Sequence, residues 1–163
     1  MMNRRVFVGA AAALASIPSV ALAGSQKKTY VLALDGSGSV RTENIKNVIS
    51  TVIEVLQSER AFELHAWSFD TRVWNHHIYT QDNLDQLRNY VLYGGGGTIL
   101  KPNWEFIQSL NLKPDHIFFA TDGYFCDEWV NYNPNIPVTF MIYEDHHNVP
   151  PGVNTFHVIE RHA

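Results

Sequence analysis

Short apolar runs that are typical of β-strands recur along the chain, and two of them end at an aspartate. Residues 29–35 form the first such run, and residues 116–121 form the run before the second aspartate. Other apolar or alternating segments predict further strands at 62–69, 73–79, 136–144 and 154–160. The chain therefore has a strand-rich framework that begins near residue 29.

Apolar residues at helical spacing occupy the longer segments between these strands. They predict a helix over residues 41–58 and a short one over 82–92, with Asp82 as its candidate N-cap. A third helix is predicted over 100–110, where Pro102 suits the first turn. The alternation of strands and helices predicts an α/β fold.

The order of the elements also predicts the directions of the strands. Most strands follow one another through a helix, which indicates a mainly parallel sheet. Strand 73–79 instead follows strand 62–69 through a short turn, so we expect it to be an antiparallel edge strand. The sheet is thus expected to have one edge at which the carboxyl ends of the parallel strands meet.

Four polar segments are expected at that edge. They are the loop after Asp35, the turn at Asp70, the glycine run 94–97 with Thr98, and the segment at Asp122. Open α/β sheets place their ligands at the carboxyl ends of their strands. This edge is therefore the candidate functional site.

The residue types at this edge suit a hard metal cation. Asp35 and Asp122 follow the two most apolar strands, and two buried carboxylates repel each other unless a cation or a proton compensates. Ser37 and Ser39 add hydroxyls two and four residues after Asp35, and the glycines between them let the backbone bend closely. With Thr98, this oxygen-only set fits Mg²⁺, and Mn²⁺ or Ca²⁺ are tolerated.

The segments VLALDGSGSV, FDTRV, GGGGT and FFATDGY, in this order, resemble the von Willebrand factor A (VWA)-like fold. The resemblance is greatest to its bacterial branch with a metal-ion-dependent adhesion site (MIDAS). It implies a three-layer, Rossmann-like domain over residues 24–163, with helices on both faces of the sheet. The family's Asp-x-Ser-x-Ser motif, loop threonine and second aspartate fall on Asp35, Ser37, Ser39, Thr98 and Asp122.

The resemblance implies metal-dependent binding rather than catalysis. In the family, an acidic side chain of a protein partner, or water, completes the open position of the metal. Two carboxylates balance one divalent ion, so an incoming carboxylate would meet no excess negative charge. Ile99 stands where this branch often carries an aspartate, which we expect to affect only secondary tuning of the site. The candidates for a rim that contacts the partner are Gly97, Tyr124, Phe125 and Asp70.

Two other interpretations of the same residues stay open. One is a metal-dependent hydrolase or phosphatase on a related sheet, although Ser37 stands where an aspartate-nucleophile phosphatase would need its second acid. No Gly-x-Ser-x-Gly motif surrounds the serines, and GGGGTILK lacks the spacing of a phosphate loop. The other is a degenerate scaffold that holds no metal in its Gly/Ser turn.

Several side chains near the site have simpler explanations. The histidine pairs 76–77 and 146–147 suggest zinc, but adjacent strand residues face opposite sides, so we expect edge or surface histidines. Asp70 can cap the hairpin turn. Packing in the core or loop is the alternative for the aromatic side chains of Tyr124, Phe125 and Trp129.

Composition and charge bear on compartment and partners. The 163 residues are 45% hydrophobic and 17% charged, which suits a single globular domain. The net charge of −4 becomes about −6 without the two arginines of the first 23 residues, and this acidic balance disfavours nucleic acid as a partner.

Residues 1–23 have the layout of a cleavable export signal, with two arginines before an Ala-rich apolar stretch and a small-x-small ending. Their start also resembles a twin-arginine signal. The apolar stretch is short and broken, so we expect membrane contact only during export and a periplasmic or secreted protein. Cys126 is the only cysteine, and we expect a buried thiol, with an intermolecular disulfide as the alternative.

Overall fold

A computed structural model describes residues 26–130, 132–143 and 154–157. The strands in these residues are β1 (Lys28–Asp35), β2 (Phe62–Phe69), β3 (Val73–Tyr79), β4 (His116–Thr121), β5 (Val138–Ile142) and β6 (Asn154–His157). The helices are α1 (Thr42–Leu56), a 3₁₀ helix (Leu84–Asn89) and α2 (Lys101–Ser109).

The described strands form one six-stranded sheet in the order β3-β2-β1-β4-β5-β6. Every pair is parallel except β2 and β3, which are antiparallel at one edge. The predicted α/β fold with a mainly parallel sheet and an antiparallel edge strand is therefore confirmed. Because β1 and β4 are neighbours at the centre, Asp35 and Asp122 leave the sheet side by side.

Helices cover both faces of the sheet, which makes three layers. On one face α1 and the 3₁₀ helix bury residues such as Ile53 and Leu87 against Leu34 of β1. On the other face α2 buries Trp104 against Phe119 of β4. Apolar burial on both faces explains the continuous apolar runs of the central strands, and each large side chain buried this way stabilises the fold by about 1.5–3 kcal/mol.

The start of α2 is held by a residue from a distant loop. Pro102 lies in the first turn, as predicted. The Asp127 carboxylate accepts hydrogen bonds from the backbone N–H groups of Leu100 and Lys101 at 2.8–3.0 Å. A negative charge is favourable at a helix N-terminus, so Asp127 ties the loop after β4 to α2.

The helix predicted over residues 82–92 is wrong in type and length. The structure has a 3₁₀ helix over Leu84–Asn89, and Asn83 rather than Asp82 precedes it. The Asn83 side chain instead accepts a hydrogen bond from the backbone N–H of Thr80 at 2.7 Å. After the helix, the Tyr90 hydroxyl donates to the backbone carbonyl of Asn75 in β3 at 2.8 Å, which ties this segment to β3.

The expectation of a buried Cys126 is also wrong, because its thiol is exposed. The export signal at residues 1–23 and the histidines at 146–147 lie outside the described residues. Within the described part of the chain, no helix has the length and apolar character needed to cross a membrane.

Candidate metal centre

Asp35 occupies the centre of the candidate site and is fully buried. Its Oδ1 accepts a hydrogen bond from the backbone N–H of Ser37 at 2.8 Å. Its Oδ2 accepts from the Thr121 hydroxyl at 2.6 Å and from the Thr98 hydroxyl at 3.5 Å. One carboxylate thus gathers the loop after β1, the end of β4 and the segment after the glycine run.

Asp122 lies beside this group, with 3% of its surface exposed. Its Oδ2 accepts a hydrogen bond from the Ser39 hydroxyl at 2.5 Å, and its Oδ1 accepts from the backbone N–H of Tyr124 at 3.1 Å. The hydroxyl oxygens of Ser37 and Ser39 are 3.3 Å apart. The structure therefore brings all five predicted ligands, Asp35, Ser37, Ser39, Thr98 and Asp122, into one hydrogen-bonded group, in which the backbone N–H of Ser37 contacts Asp35.

Neither carboxylate has a cationic partner in the part of the chain that the structure describes. Burial raises the pKa of Asp35; hydrogen bonds from Thr121 and Ser37 oppose this shift, and the negative charge of Asp122 adds to it. Among the described residues, no Lys, Arg or His forms an ion pair with either carboxylate. Within the described residues nothing offsets the negative charge of the ionised pair, and a bound cation would do so.

Glycines let the two loops of the site touch through their backbones. A Cβ added to Gly36 would lie 2.2 Å from the carbonyl oxygen of Tyr93, and one added to Gly94 would lie 2.3 Å from that of Gly36. Gly94 also has φ +149°, which favours glycine. The backbone N–H of Gly95 donates to the Gly36 carbonyl at 2.8 Å. The glycine run thus fixes the segment before Thr98 against the loop after β1.

Asp70 links the hairpin turn to the same glycine run. Its Oδ1 accepts hydrogen bonds from the backbone N–H of Arg72 at 3.2 Å and the Trp74 indole at 2.8 Å. Its Oδ2 accepts from the backbone N–H of Gly96 at 3.1 Å. Asp70 caps the turn, and its buried carboxylate faces the loops of the protein.

The other rim candidates differ in exposure. Tyr124 is 55% exposed and stands next to the carboxylate pair. Phe125 is partly buried against the core on the α2 face, as is Trp129. A Cβ on Gly97 would lie 3.2 Å from the Cys126 sulfur. Tyr124 is therefore the aromatic side chain best placed to meet a partner.

Two residues near the carboxylates were missed by the sequence analysis. Thr121 donates to Asp35 and its hydroxyl accepts from the backbone N–H of Gly123 at 3.1 Å. Tyr143 directly follows β5, and its buried hydroxyl has no hydrogen-bond partner among the described residues. The hydroxyl of Thr121 next to the motif aspartate was a usable signal, whereas Tyr143 had none because its place depends on the strand order.

The residues at this edge fit a hard divalent cation by their chemistry. Two carboxylates and three hydroxyls are oxygen donors, and the paired negative charges match one divalent ion. No group of three or more His, Cys, Asp or Glu that could hold a metal occurs among the described residues. A softer ion such as zinc would need such a group.

The histidines of β3 face opposite sides of the sheet, as predicted. His76 is half-buried and stacks on His65 with the ring centroids 5.2 Å apart, next to Trp67. His77 is exposed and packs against Tyr90 on the other side. The pair therefore does not converge on one ion.

A separate cleft of about 450 Å³ lies between β3 and the 3₁₀ helix. None of the five predicted ligands lines it. Its lining includes the amide side chains of Asn75, Asn83, Gln86 and Asn89 and the phenols of Tyr79, Tyr90 and Tyr93.

The protein has a three-layer fold, with acidic and hydroxyl-bearing loops at the carboxyl ends of its parallel strands. This arrangement is that of a VWA-type α/β domain. The chain belongs to the family described as VWA-like domain (DUF2201), whose model matches residues 30–159. Comparison with curated proteins gave no match.

Solved structures show the same fold. The ArnB paralogue VWA2 from Sulfolobus acidocaldarius is 16% identical with a TM-score of 0.61, over 77% of this chain and 37% of that one. An aerotolerance-related membrane protein from Bacteroides fragilis, carrying multiple mutations to serines, is 16% identical with a TM-score of 0.51, over 79% and 75%. The chain thus spans little more than a third of the first neighbour. At this identity the likeness concerns the fold alone.

Proposed function

We propose that this protein binds a divalent cation at the edge of its sheet and uses it to bind a protein partner. The proposed cation is Mg²⁺, with Mn²⁺ or Ca²⁺ tolerated, and the proposed ligands are Asp35, Ser37, Ser39, Thr98 and Asp122. The observation that carries the proposal is the buried pair of carboxylates, for which the described residues supply no cationic partner. Buried carboxylates are retained at a cost in stability unless something compensates them.

The proposed partner is a protein that supplies an acidic side chain to the bound cation. Two carboxylates neutralise one divalent ion, and the three hydroxyls add no charge, so a third carboxylate is not repelled. The exposed Tyr124 beside the pair offers contact area around such a side chain. We propose binding rather than catalysis, and no nucleic acid as partner.

Calorimetric titration of the purified chain with Mg²⁺ and Mn²⁺ tests the metal site. Wild type should bind one equivalent, and Asp35→Asn and Asp122→Asn should each lower the affinity at least tenfold. Asp85→Asn is the matched control, since it removes the same charge from an exposed position of the 3₁₀ helix. Absence of binding by wild type would refute the metal site and favour the degenerate scaffold.

The hydrolase alternative has its own outcome. Turnover of phosphate esters that requires Mg²⁺ and disappears in Asp35→Asn would favour that alternative over a binding protein. We also propose export to the periplasm or the exterior, directed by residues 1–23. Cell fractionation with N-terminal sequencing of the mature chain tests this, and a start at residue 24 is the expected result.

A further inference from the structure

Two tyrosine hydroxyls are buried without a hydrogen-bond partner among the described residues. They belong to Tyr30 and Tyr143, which are 1% and 5% exposed. A buried hydroxyl without a partner costs free energy, so its retention needs an explanation. The two tyrosines pack in the same core cluster on the α1 face of the sheet. Tyr30 lies near the start of β1, whereas Tyr143 directly follows the end of β5.

Tyr143 lies at the edge of the candidate metal centre. Its backbone N–H donates to the carbonyl of Thr121 at 3.2 Å, so it stands beside the residue that precedes Asp122. Burial raises the pKa of its phenol, and the charges of Asp35 and Asp122 add to this shift. Its side chain belongs to the core cluster against which Val40 packs, and Val40 directly follows Ser39, so Tyr143 and the serine loop meet the same cluster.

Tyr30 lies at the other end of the strands. It pairs with His116 at the start of β4, and the acidic groups that raise its pKa after burial are Glu59 and Asp115. It therefore has the same chemical group in the same core cluster, away from the site and with the Glu59 carboxylate as its acidic neighbour.

We propose that Tyr143 is a positioning residue of the metal centre, and that its hydroxyl obtains its hydrogen bond from the shell of the bound cation. This inference rests on the proposed metal binding. Mg²⁺ keeps water in its shell, and such water is a strong hydrogen-bond donor that needs an acceptor. A phenol can accept that bond without adding charge, so the hydroxyl orients the shell while the carboxylates hold the ion.

The proposal gives opposite signs for two measurements on Tyr143→Phe. In the metal-free protein the substitution removes an unpartnered hydroxyl and keeps the ring, so the melting temperature should stay level or rise. In the loaded protein it removes a hydrogen bond to a charged centre, so the affinity for Mg²⁺ should fall about tenfold. If Tyr143 had only a structural role, its substitution would not lower the affinity for Mg²⁺ while leaving the melting temperature of the metal-free protein level or higher.

The experiment compares wild type, Tyr143→Phe and the matched control Tyr30→Phe. Each full chain is melted without metal and then titrated with Mg²⁺ by calorimetry, and Tyr30→Phe should leave the affinity unchanged. If wild type binds and Tyr143→Phe binds equally well, the role of Tyr143 is refuted while the metal site stands. If wild type does not bind Mg²⁺, the proposed function fails and this inference fails with it.

Discussion

Asp70 holds together two loops of the candidate centre, and replacing it with alanine tests how strongly. Its carboxylate is 5% exposed and accepts three hydrogen bonds, from the backbone N–H groups of Arg72 and Gly96 and from the Trp74 indole. Hydrogen bonds to a charged acceptor contribute about 1.5–3 kcal/mol each, and bonds that share one acceptor do not add fully. We expect Asp70→Ala to lower the free energy of unfolding by about 2–4 kcal/mol.

The same substitution should also weaken Mg²⁺ binding, although Asp70 is not a proposed ligand. Gly96 loses the acceptor that holds the glycine run, and Thr98 follows two residues later. Urea denaturation at pH 7 and calorimetric titration measure the two effects, with Asp85→Ala as the control for loss of an exposed carboxylate. An unfolding free energy within 0.5 kcal/mol of that control, about the usual size of a surface effect, would refute the reasoning.

The pH dependence of the Asp70 effect has a definite sign. Burial raises the pKa of Asp70, but the hydrogen bonds from the Trp74 indole and from the backbone N–H groups of Arg72 and Gly96 together lower it below its usual value. A lowered carboxyl pKa contributes stability above the unfolded value of about 3.9, and this contribution disappears as the pH falls through the folded pKa. The stability difference between wild type and Asp70→Ala should therefore shrink below about pH 4.

Three further substitutions test the loop contact, the core and a buried histidine. Gly36→Ala should cost about 1–3 kcal/mol in urea denaturation and weaken Mg²⁺ binding, because its Cβ would lie 2.2 Å from the Tyr93 carbonyl oxygen. Asn103→Leu should cost about 1–3 kcal/mol, because it removes the buried acceptor that the Trp67 indole contacts at 2.7 Å. Burial lowers the pKa of His116 to about 4, so stability should decrease by up to about 3 kcal/mol as the pH falls from about 6.5 to 4. His116→Gln should reduce this slope, and burial of His76, which also lowers its pKa, accounts for part of what remains.

Each of these substitutions has a matched control. Gly38→Ala changes the same loop, but its Cβ has no neighbour nearer than 3.4 Å, so a cost equal to that of Gly36→Ala would contradict the steric argument. Gln108→Leu replaces an exposed amide on the same helix as Asn103, and it should have little effect. His77→Gln replaces an exposed histidine, and it should leave the pH dependence of His116 visible.

The strands could be predicted because runs of apolar residues in the local sequence indicate that they are buried. Residues of β1 and β4 are apolar in succession, since both faces of these strands are covered by helices. The structure of the segment after Asp82 was harder to predict. Its apolar residues have helical spacing, but contacts with residues far away in the chain also determine its conformation. The bond from the Tyr90 hydroxyl to the Asn75 carbonyl is one such contact.

Some residues of the candidate site could likewise be placed from the local sequence, and others could not. Asp35 and Asp122 could be placed at one edge because strand direction and the end of each apolar run fix them. Tyr143 could not be placed, because its position beside Asp122 follows from the order of β4 and β5 and not from any local pattern. Asp127 could not be placed either, because it caps a helix that begins 26 residues earlier.

Gly36 and the two buried carboxylates of the site have different explanations, and only the carboxylates argue for a metal. Gly36 is required by the close approach of the Tyr93 backbone, which any protein with these two loops would need. That steric need says nothing about the charge of the neighbouring side chains. Asp35 and Asp122 are buried side by side, although uncharged polar side chains could accept the same hydrogen bonds at a smaller desolvation cost. A solvated Gly/Ser turn would leave these side chains in water, so the burial of the two carboxylates is the feature that the proposed binding of a divalent cation would explain.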